Sequence, residues 1–143
     1  MSGIVGSKLN IRGSGRIAKL GTDGQVLTSA GAGLQANYED AAGGGISWQS
    51  VETGATFTAV AGNGYPVNTT AQACTATLPA GTVGDEVSFI DYARTFDTYN
   101  LTVTANGSEK IYGSTDDLTN AVEGAAFTLV YVDATQGWLL KDK

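Results

Sequence analysis

From Ile46 to the C-terminus, apolar and polar residues alternate in short runs that are separated by turn residues. Such alternation is typical of β-strands that bury one side, and the pairs Asn63-Gly64 and Asn106-Gly107 are typical of tight turns. The pattern predicts nine strands, at residues 46–51, 56–60, 65–68, 73–78, 86–90, 100–104, 110–112, 125–132 and 138–141. It also predicts an apolar core made of Val87, Phe89, Leu101, Val103, Ile111, Phe127, Leu129, Tyr131 and Leu139.

A strand about every ten residues favours an all-β fold, either a small β-sandwich or a barrel of the jelly-roll kind. Residues 115–122 are the only stretch compatible with a helix, and they are too short and too poor in apolar periodicity to predict one. We therefore predict an all-β domain over residues 46–143 that follows an extended N-terminal arm over residues 1–45.

The arm is rich in glycine, since eleven of the 20 glycines lie in residues 1–45. Such a segment buries little apolar surface by itself, yet single apolar side chains recur along it too often for a solvated spacer. We interpret it as an arm that orders by laying these side chains on neighbouring protein chains. A disordered tail with incidental apolar residues is the alternative. The predicted partner-docking residues are Ile4, Val5, Lys8, Leu9, Ile11, Arg12, Arg16, Ile17, Lys19 and Leu20.

The distribution of charged side chains also differs between the arm and the predicted domain. Residues 1–22 carry four basic side chains and no acidic one, whereas residues 46–143 carry eleven acidic and four basic side chains. The formal net charge of −6 argues against nucleic acid as the partner, because phosphate binding favours basic domains. No aromatic residue interleaves with the basic ones, so we expect the arm to pair with acidic groups of a partner protein.

The composition excludes several chemistries. The chain contains no histidine, which removes the usual general base and the commonest metal ligand. The single cysteine, Cys74, cannot form an internal disulfide, and its alternating apolar context predicts a buried, unreactive thiol. We predict no enzyme activity, no cofactor, no metal site, no membrane span and no signal peptide. Acid pairs such as Asp116-Asp117 are interpreted as solvated surface, since neighbours on a strand point to opposite faces.

Three aromatic residues fall in the loop-like stretch 91–99, namely Tyr92, Phe96 and Tyr99. Exposed rings there could form a contact patch or stack on sugar rings. Packing of this loop against the domain is the equally open alternative.

Two stretches carry a resemblance to known proteins. Residues 19–34, KLGTDGQVLTSAGAGL, are similar to a glycine-rich segment common in tail-fibre and other virion proteins of tailed bacteriophages. Residues 78–91, LPAGTVGDEVSFID, together with NLTV at 100–103, IYG at 111–113, FTLVYV at 127–132 and GW at 137–138, resemble a β-module of phage fibre and head-decoration proteins.

The resemblance implies a location in the virion, assembly in the host bacterial cytoplasm and a homotrimer. Because the chain has one arm and one module without a shaft, we expect a capsid decoration (cement) protein whose arm staples neighbouring subunits of the major capsid protein. The alternative is a short tail or head fibre protein that binds a host-surface glycan, and a depolymerase ranks third.

Overall fold

A computed structural model of the chain describes residues 25–28, 37–40 and 45–142. The chain divides into two units, Met1–Gly43 and Gly44–Lys143. The first unit contains two described strands, β1 (Gln25–Thr28) and β2 (Asn37–Asp40), which pair antiparallel. The sequence pattern did not predict this pair within the segment expected to be an extended arm. The ten predicted partner-docking residues lie outside the described residues.

The second unit is all-β and contains no helix among its described residues, which confirms the predicted fold class. Its strands are β3 (Ser47–Trp48), β4 (Thr56–Thr58), β5 (Asn63–Val67), β6 (Cys74–Thr77), β7 (Glu86–Asp91), β8 (Leu101–Thr104), β9 (Leu118–Asn120), β10 (Ala126–Asp133) and β11 (Gly137–Asp142). They form a five-stranded sheet in the order β11-β10-β7-β5-β3 and a four-stranded sheet in the order β4-β6-β8-β9.

From β3 to β8 the chain alternates between the two sheets, so that each strand pairs with the strand two places away in sequence. Strands β3, β5 and β7 are parallel in one sheet, and β4, β6 and β8 are parallel in the other. Parallel neighbours need a long crossover connection, and here a strand of the opposite sheet provides it. Strands β9, β10 and β11 then complete the sheets with antiparallel pairs.

Neither sheet closes on itself, so the barrel alternative is wrong for this unit. The parallel ladders also differ from a jelly roll, which is built from antiparallel Greek keys. Local alternation of apolar and polar residues is the same in parallel and antiparallel strands, so the pattern could not distinguish these topologies.

The inward side chains of both sheets form one hydrophobic core. Eight of the nine predicted core residues are buried; Leu139 is half-buried, and its neighbour Trp138 is fully buried instead. Trp138 lies beside Tyr131 in the ladder, and the two rings meet edge to face with centroids 5.5 Å apart. Gly137 precedes it with φ +73°, and a Cβ there would collide with the carbonyl of Lys110.

Two predictions about strands are wrong. Residues 110–112 form no strand, because the chain reverses there with positive φ at Tyr112 and Gly113 and a hydrogen bond from Ile111 N–H to the Ser114 carbonyl. Strand β9 was missed because the stretch around it is polar and Leu118 is its only large apolar residue. The other eight predicted strands correspond to β3–β8, β10 and β11.

Candidate interaction surfaces

The loop of residues 92–99 is held by a buried carboxylate. Asp91 ends β7 with a relative exposure of 5%. Its Oδ1 accepts a hydrogen bond from the amide of Thr95 at 3.0 Å, and its Oδ2 accepts from the amides of Phe96 at 3.1 Å and Gly124 at 2.9 Å. One side chain therefore fixes both this loop and the β9–β10 connection.

The three predicted contact aromatics of this loop separate into two environments. Phe96 is fully buried in the core, so it follows the loop-packing alternative and is not a surface contact. Tyr92 and Tyr99 are 58% and 43% exposed. Their backbone amides bond to the carbonyls of Val67 and Thr95, so both rings project from a fixed backbone. An exposed ring of this kind offers an apolar face and a polar hydroxyl to a ligand.

A shallow apolar groove of about 560 Å³ lies along β9, the β9–β10 connection and the start of β10. Leu118, Val122, Phe127 and Leu140 line it. Of these, Val122 is 64% exposed, and Glu123, which also lines the groove, pairs with Arg94 at 3.0 Å on an exposed surface. The sequence pattern did not predict this groove, because its lining residues come from two different sheets and from the polar stretch around β9.

The outward side of the five-stranded sheet carries an apolar outer face, which we define as Trp48, Pro66, Ile90, Ala126, Val130 and Leu139. The ladder sets Pro66 beside Ile90, Ile90 beside Ala126, and Val130 beside Leu139. The indole of Trp48 lies against Gly64, where a Cβ would come within 2.7 Å of its ring. Trp48 is 55% exposed and Ile90 is 37% exposed.

The polar side chains on this same side are bonded to one another. The hydroxyls of Ser88 and Thr128 lie 2.8 Å apart, and the Lys141 ammonium donates to Glu86 Oε1 at 2.9 Å. This contact with Glu86 raises the pKa of Lys141. The Ser88 and Thr128 hydroxyls bond to each other, whereas the Lys141 ammonium and the Glu86 carboxylate keep further donors and acceptors for solvent.

The outward side of the four-stranded sheet has a different chemistry. Each of its outward strand positions is a threonine, and these seven residues define the threonine face. The ladder aligns them in two rows, Thr56-Thr75-Thr102-Thr119 and Thr58-Thr77-Thr104. Among the contacts of the described residues, none of these side-chain hydroxyls bonds to another side chain or to the backbone.

The remaining chemistry-bearing side chains have structural contacts. Cys74 is buried, as predicted, and burial, with the nearby Glu52 carboxylate as a smaller cause, raises the pKa of its thiol to about 11. Glu109 accepts the amide of Gly81 with both oxygens, at 3.0 and 3.2 Å, and lies 3.4 Å from Trp138 Nε1. Among residues 25–28, 37–40 and 45–142, no group of three or more acidic or cysteine side chains is arranged to hold a metal ion.

No helix in the described part of the chain is long and apolar enough to cross a membrane. The chain matches no protein-family model and no curated protein sequence.

Proposed function

We propose that this chain is a structural protein of a tailed bacteriophage particle, and specifically a capsid decoration protein. In this proposal the all-β unit is a sandwich that forms a knob on the capsid. Its N-terminal arm, residues 1–45, docks on neighbouring subunits of the major capsid protein. Many small contacts, multiplied by the valency of an oligomer, provide the binding free energy.

The observation that carries the proposal is the apolar outer face. Exposed apolar side chains on one side of a sheet, here Trp48 and Ile90, favour contact with other proteins, whereas a catalytic site is a concave pocket with converging polar groups. The carboxylate of the buried Asp91 binds the backbone amides of Thr95, Phe96 and Gly124, and that of Glu109 binds the backbone amide of Gly81. This use of carboxylates supports an assembly role and no enzyme activity. Incubation with host polysaccharide should therefore release no new reducing ends.

Deletion of residues 2–40 tests the role of the arm. The truncated chain should retain the circular-dichroism spectrum of a β-protein and lose its binding to purified capsids. A full-length variant with Arg12→Glu and Arg16→Glu should also bind capsids more weakly, because it reverses two of the four basic charges of the arm. Full occupancy of capsids by the truncated chain would reject the proposal.

A second candidate function rests on the exposed rings of Tyr92 and Tyr99. In this alternative the chain is a short tail or head fibre protein, and the two rings stack on a host-surface glycan. A glycan array should then show reproducible binding that Tyr92→Ala or Tyr99→Ala removes. Tyr112→Ala is the matched control, because Tyr112 is 52% exposed on a different loop. Equal loss of binding in the control would reject the assignment to these two rings.

A further inference from the structure

The chain contains two Asn-Gly pairs, and the fold places them in opposite environments. Asn63-Gly64 lies in β5, an interior strand of the five-stranded sheet, whereas Asn106-Gly107 lies in the exposed turn after β8. An Asn-Gly pair can modify itself, because glycine has no side chain to keep its backbone nitrogen away from the asparagine side-chain amide. The two pairs therefore show where the fold permits this reaction and where it blocks it.

The Asn106-Gly107 pair has open space around it and few contacts. Both residues are exposed, Gly107 has φ +56°, and a Cβ there would meet no atom within 4 Å. One backbone hydrogen bond closes the turn, from the amide of Glu109 to the carbonyl of Asn106 at 2.9 Å. Among the hydrogen bonds of the described residues, none involves the Asn106 side chain or the Gly107 amide. Rotation within the turn therefore brings the side-chain carbon to the Gly107 nitrogen without disturbing the core.

The Asn63-Gly64 pair is held on all sides. Gly64 is buried, and Gln49 donates to its carbonyl at 2.8 Å. The parallel register that pairs Ser47 with Asn63 also turns the Gly64 N–H toward β3. The Asn63 side-chain amide donates to the hydroxyl of Tyr65 at 3.3 Å. Attack by the Gly64 nitrogen therefore requires this part of the sheet to open first.

We propose that Asn106 is a site of spontaneous deamidation in the folded protein, with the Gly107 backbone nitrogen as the nucleophile. This nitrogen loses its proton and bonds to Cγ of Asn106, and the side-chain nitrogen leaves as ammonia, so that a succinimide ring forms. Water then opens the ring at one of its two carbonyl carbons and leaves aspartate or isoaspartate. The overall reaction consumes one water and releases one ammonia, and no group is oxidised or reduced.

The products change both the charge and the backbone of the turn. A neutral amide becomes a carboxylate, so the formal net charge of −6 becomes one unit more negative. Isoaspartate also carries the backbone through the former side chain, and so lengthens the turn just before Glu109, whose carboxylate binds the Gly81 amide. This inference goes beyond the proposed function and does not depend on it, because the purified chain is sufficient to test it.

The test follows both pairs in one sample of the full-length chain. After incubation at pH 8, a protease that cleaves after glutamate, used at acidic pH, releases residues 53–86 with Asn63 and residues 87–109 with Asn106. Deamidation raises the mass of a peptide by about 1 Da, and fragment ions assign the change to one residue. In the native chain we expect product at Asn106 at least about tenfold faster than at Asn63, because the buried strand must open before Gly64 can react. Equal rates at the two asparagines would overturn the proposal.

Unfolding and substitution separate the effect of the fold from that of the local sequence. In concentrated urea the two pairs should react at similar rates, because neither backbone is then held, and native Asn106 should stay within about tenfold of that rate. Gly107→Ala should slow the reaction at Asn106, because its methyl group hinders the attacking nitrogen, and should leave the slow reaction at Asn63 unchanged. A native Asn106 that reacts as slowly as native Asn63, or a Gly107→Ala chain that reacts as fast as the parent, would contradict the assignment.

Discussion

Replacing Asp91 should reveal how much one buried carboxylate contributes to this fold. The side chain accepts three backbone hydrogen bonds, from Thr95, Phe96 and Gly124, and so joins the 92–99 loop to the β9–β10 connection, where Gly124 lies 33 residues after Asp91. A hydrogen bond to a charged group contributes about 1.5–3 kcal/mol net, and the loss is smaller where water can replace the partner. The Phe96 amide is buried, whereas the Thr95 and Gly124 amides are partly exposed. We therefore expect Asp91→Ala to lower the free energy of unfolding by about 3–5 kcal/mol.

Asparagine at this position distinguishes hydrogen bonding from charge and packing. Its single carbonyl oxygen can take the place of Oδ2, which accepts from Phe96 and Gly124, but its NH₂ group then faces the donating amide of Thr95. Asp91→Asn should therefore fall between the parent chain and Asp91→Ala, with a loss of about 1.5–3 kcal/mol.

Urea denaturation followed by circular dichroism measures all three proteins, and Asp97→Ala is the control, because Asp97 is exposed in the same loop. A surface change of that kind is expected to shift stability by no more than about 0.5 kcal/mol. Hydrogen exchange should also be faster at the amide of Thr95 in both Asp91 variants, and at the amide of Gly124 in Asp91→Ala. If Asp91→Ala is no less stable than Asp97→Ala, the three bonds do not hold the loops as argued.

Two further predictions concern single positions. Gly137→Ala should lower the free energy of unfolding by more than about 2 kcal/mol, because the residue has φ +73° and its new Cβ would collide with the Lys110 carbonyl. Gly107→Ala is the control and should cost about 1 kcal/mol, because Gly107 has φ +56° and open space around it. Equal losses of stability in denaturant titrations would refute the collision argument. The Cys74 thiol should resist a thiol reagent at pH 8 in the native protein and react on unfolding. Since its pKa rises from 9.0 to about 11 on folding, the unfolded chain loses the proton first, so its contribution to stability is complete below pH 9 and is lost between pH 9 and 11. Comparison with Cys74→Ala over that pH range isolates this contribution from other groups that titrate there, and identical pH profiles would contradict it.

Alternation predicted most of the strands, and eight of the nine residues that it assigned to the core are buried, because burial of one strand side leaves a local trace in the sequence. It could not predict which strands share a sheet, since the chain moves from one sheet to the other at every strand from β3 to β8. The prediction placed Leu139 in the core, whereas Trp138 is the buried residue, and this error has a similar cause. Irregular pairing interrupts the β10–β11 ladder on both sides of Tyr131, and an alternation count cannot anticipate that change.

The candidate surfaces depend on pairing between strands, which is why the sequence gives so few signs of them. Thr75 and Thr77 in one strand look like ordinary polar positions of an alternating run, and only the ladder places them beside Thr102 and Thr104. Ile90 and Val130 look like ordinary members of apolar runs, and only burial shows that they face outward while Phe89 and Leu129 face the core. The aromatic loop was ambiguous for another reason, since one of its three rings packs inward from an irregular backbone.

Consecutive strands from β3 to β8 belong to alternate sheets, so the two outer faces can be compared between strands that are close in sequence. Each of β4, β6 and β8 lies close in sequence to β5 or β7, so composition that drifts slowly along the chain would affect both faces alike. Instead the outward positions of β4, β6 and β8 are all threonine, and those of β5, β7 and β10 include Pro66, Ile90 and Val130. The composition of the outward positions therefore depends on the sheet to which a strand belongs, and not on the position of the strand along the chain. Two surfaces of one small unit that differ in this way are expected to meet different environments, water on the threonine face and protein on the apolar outer face.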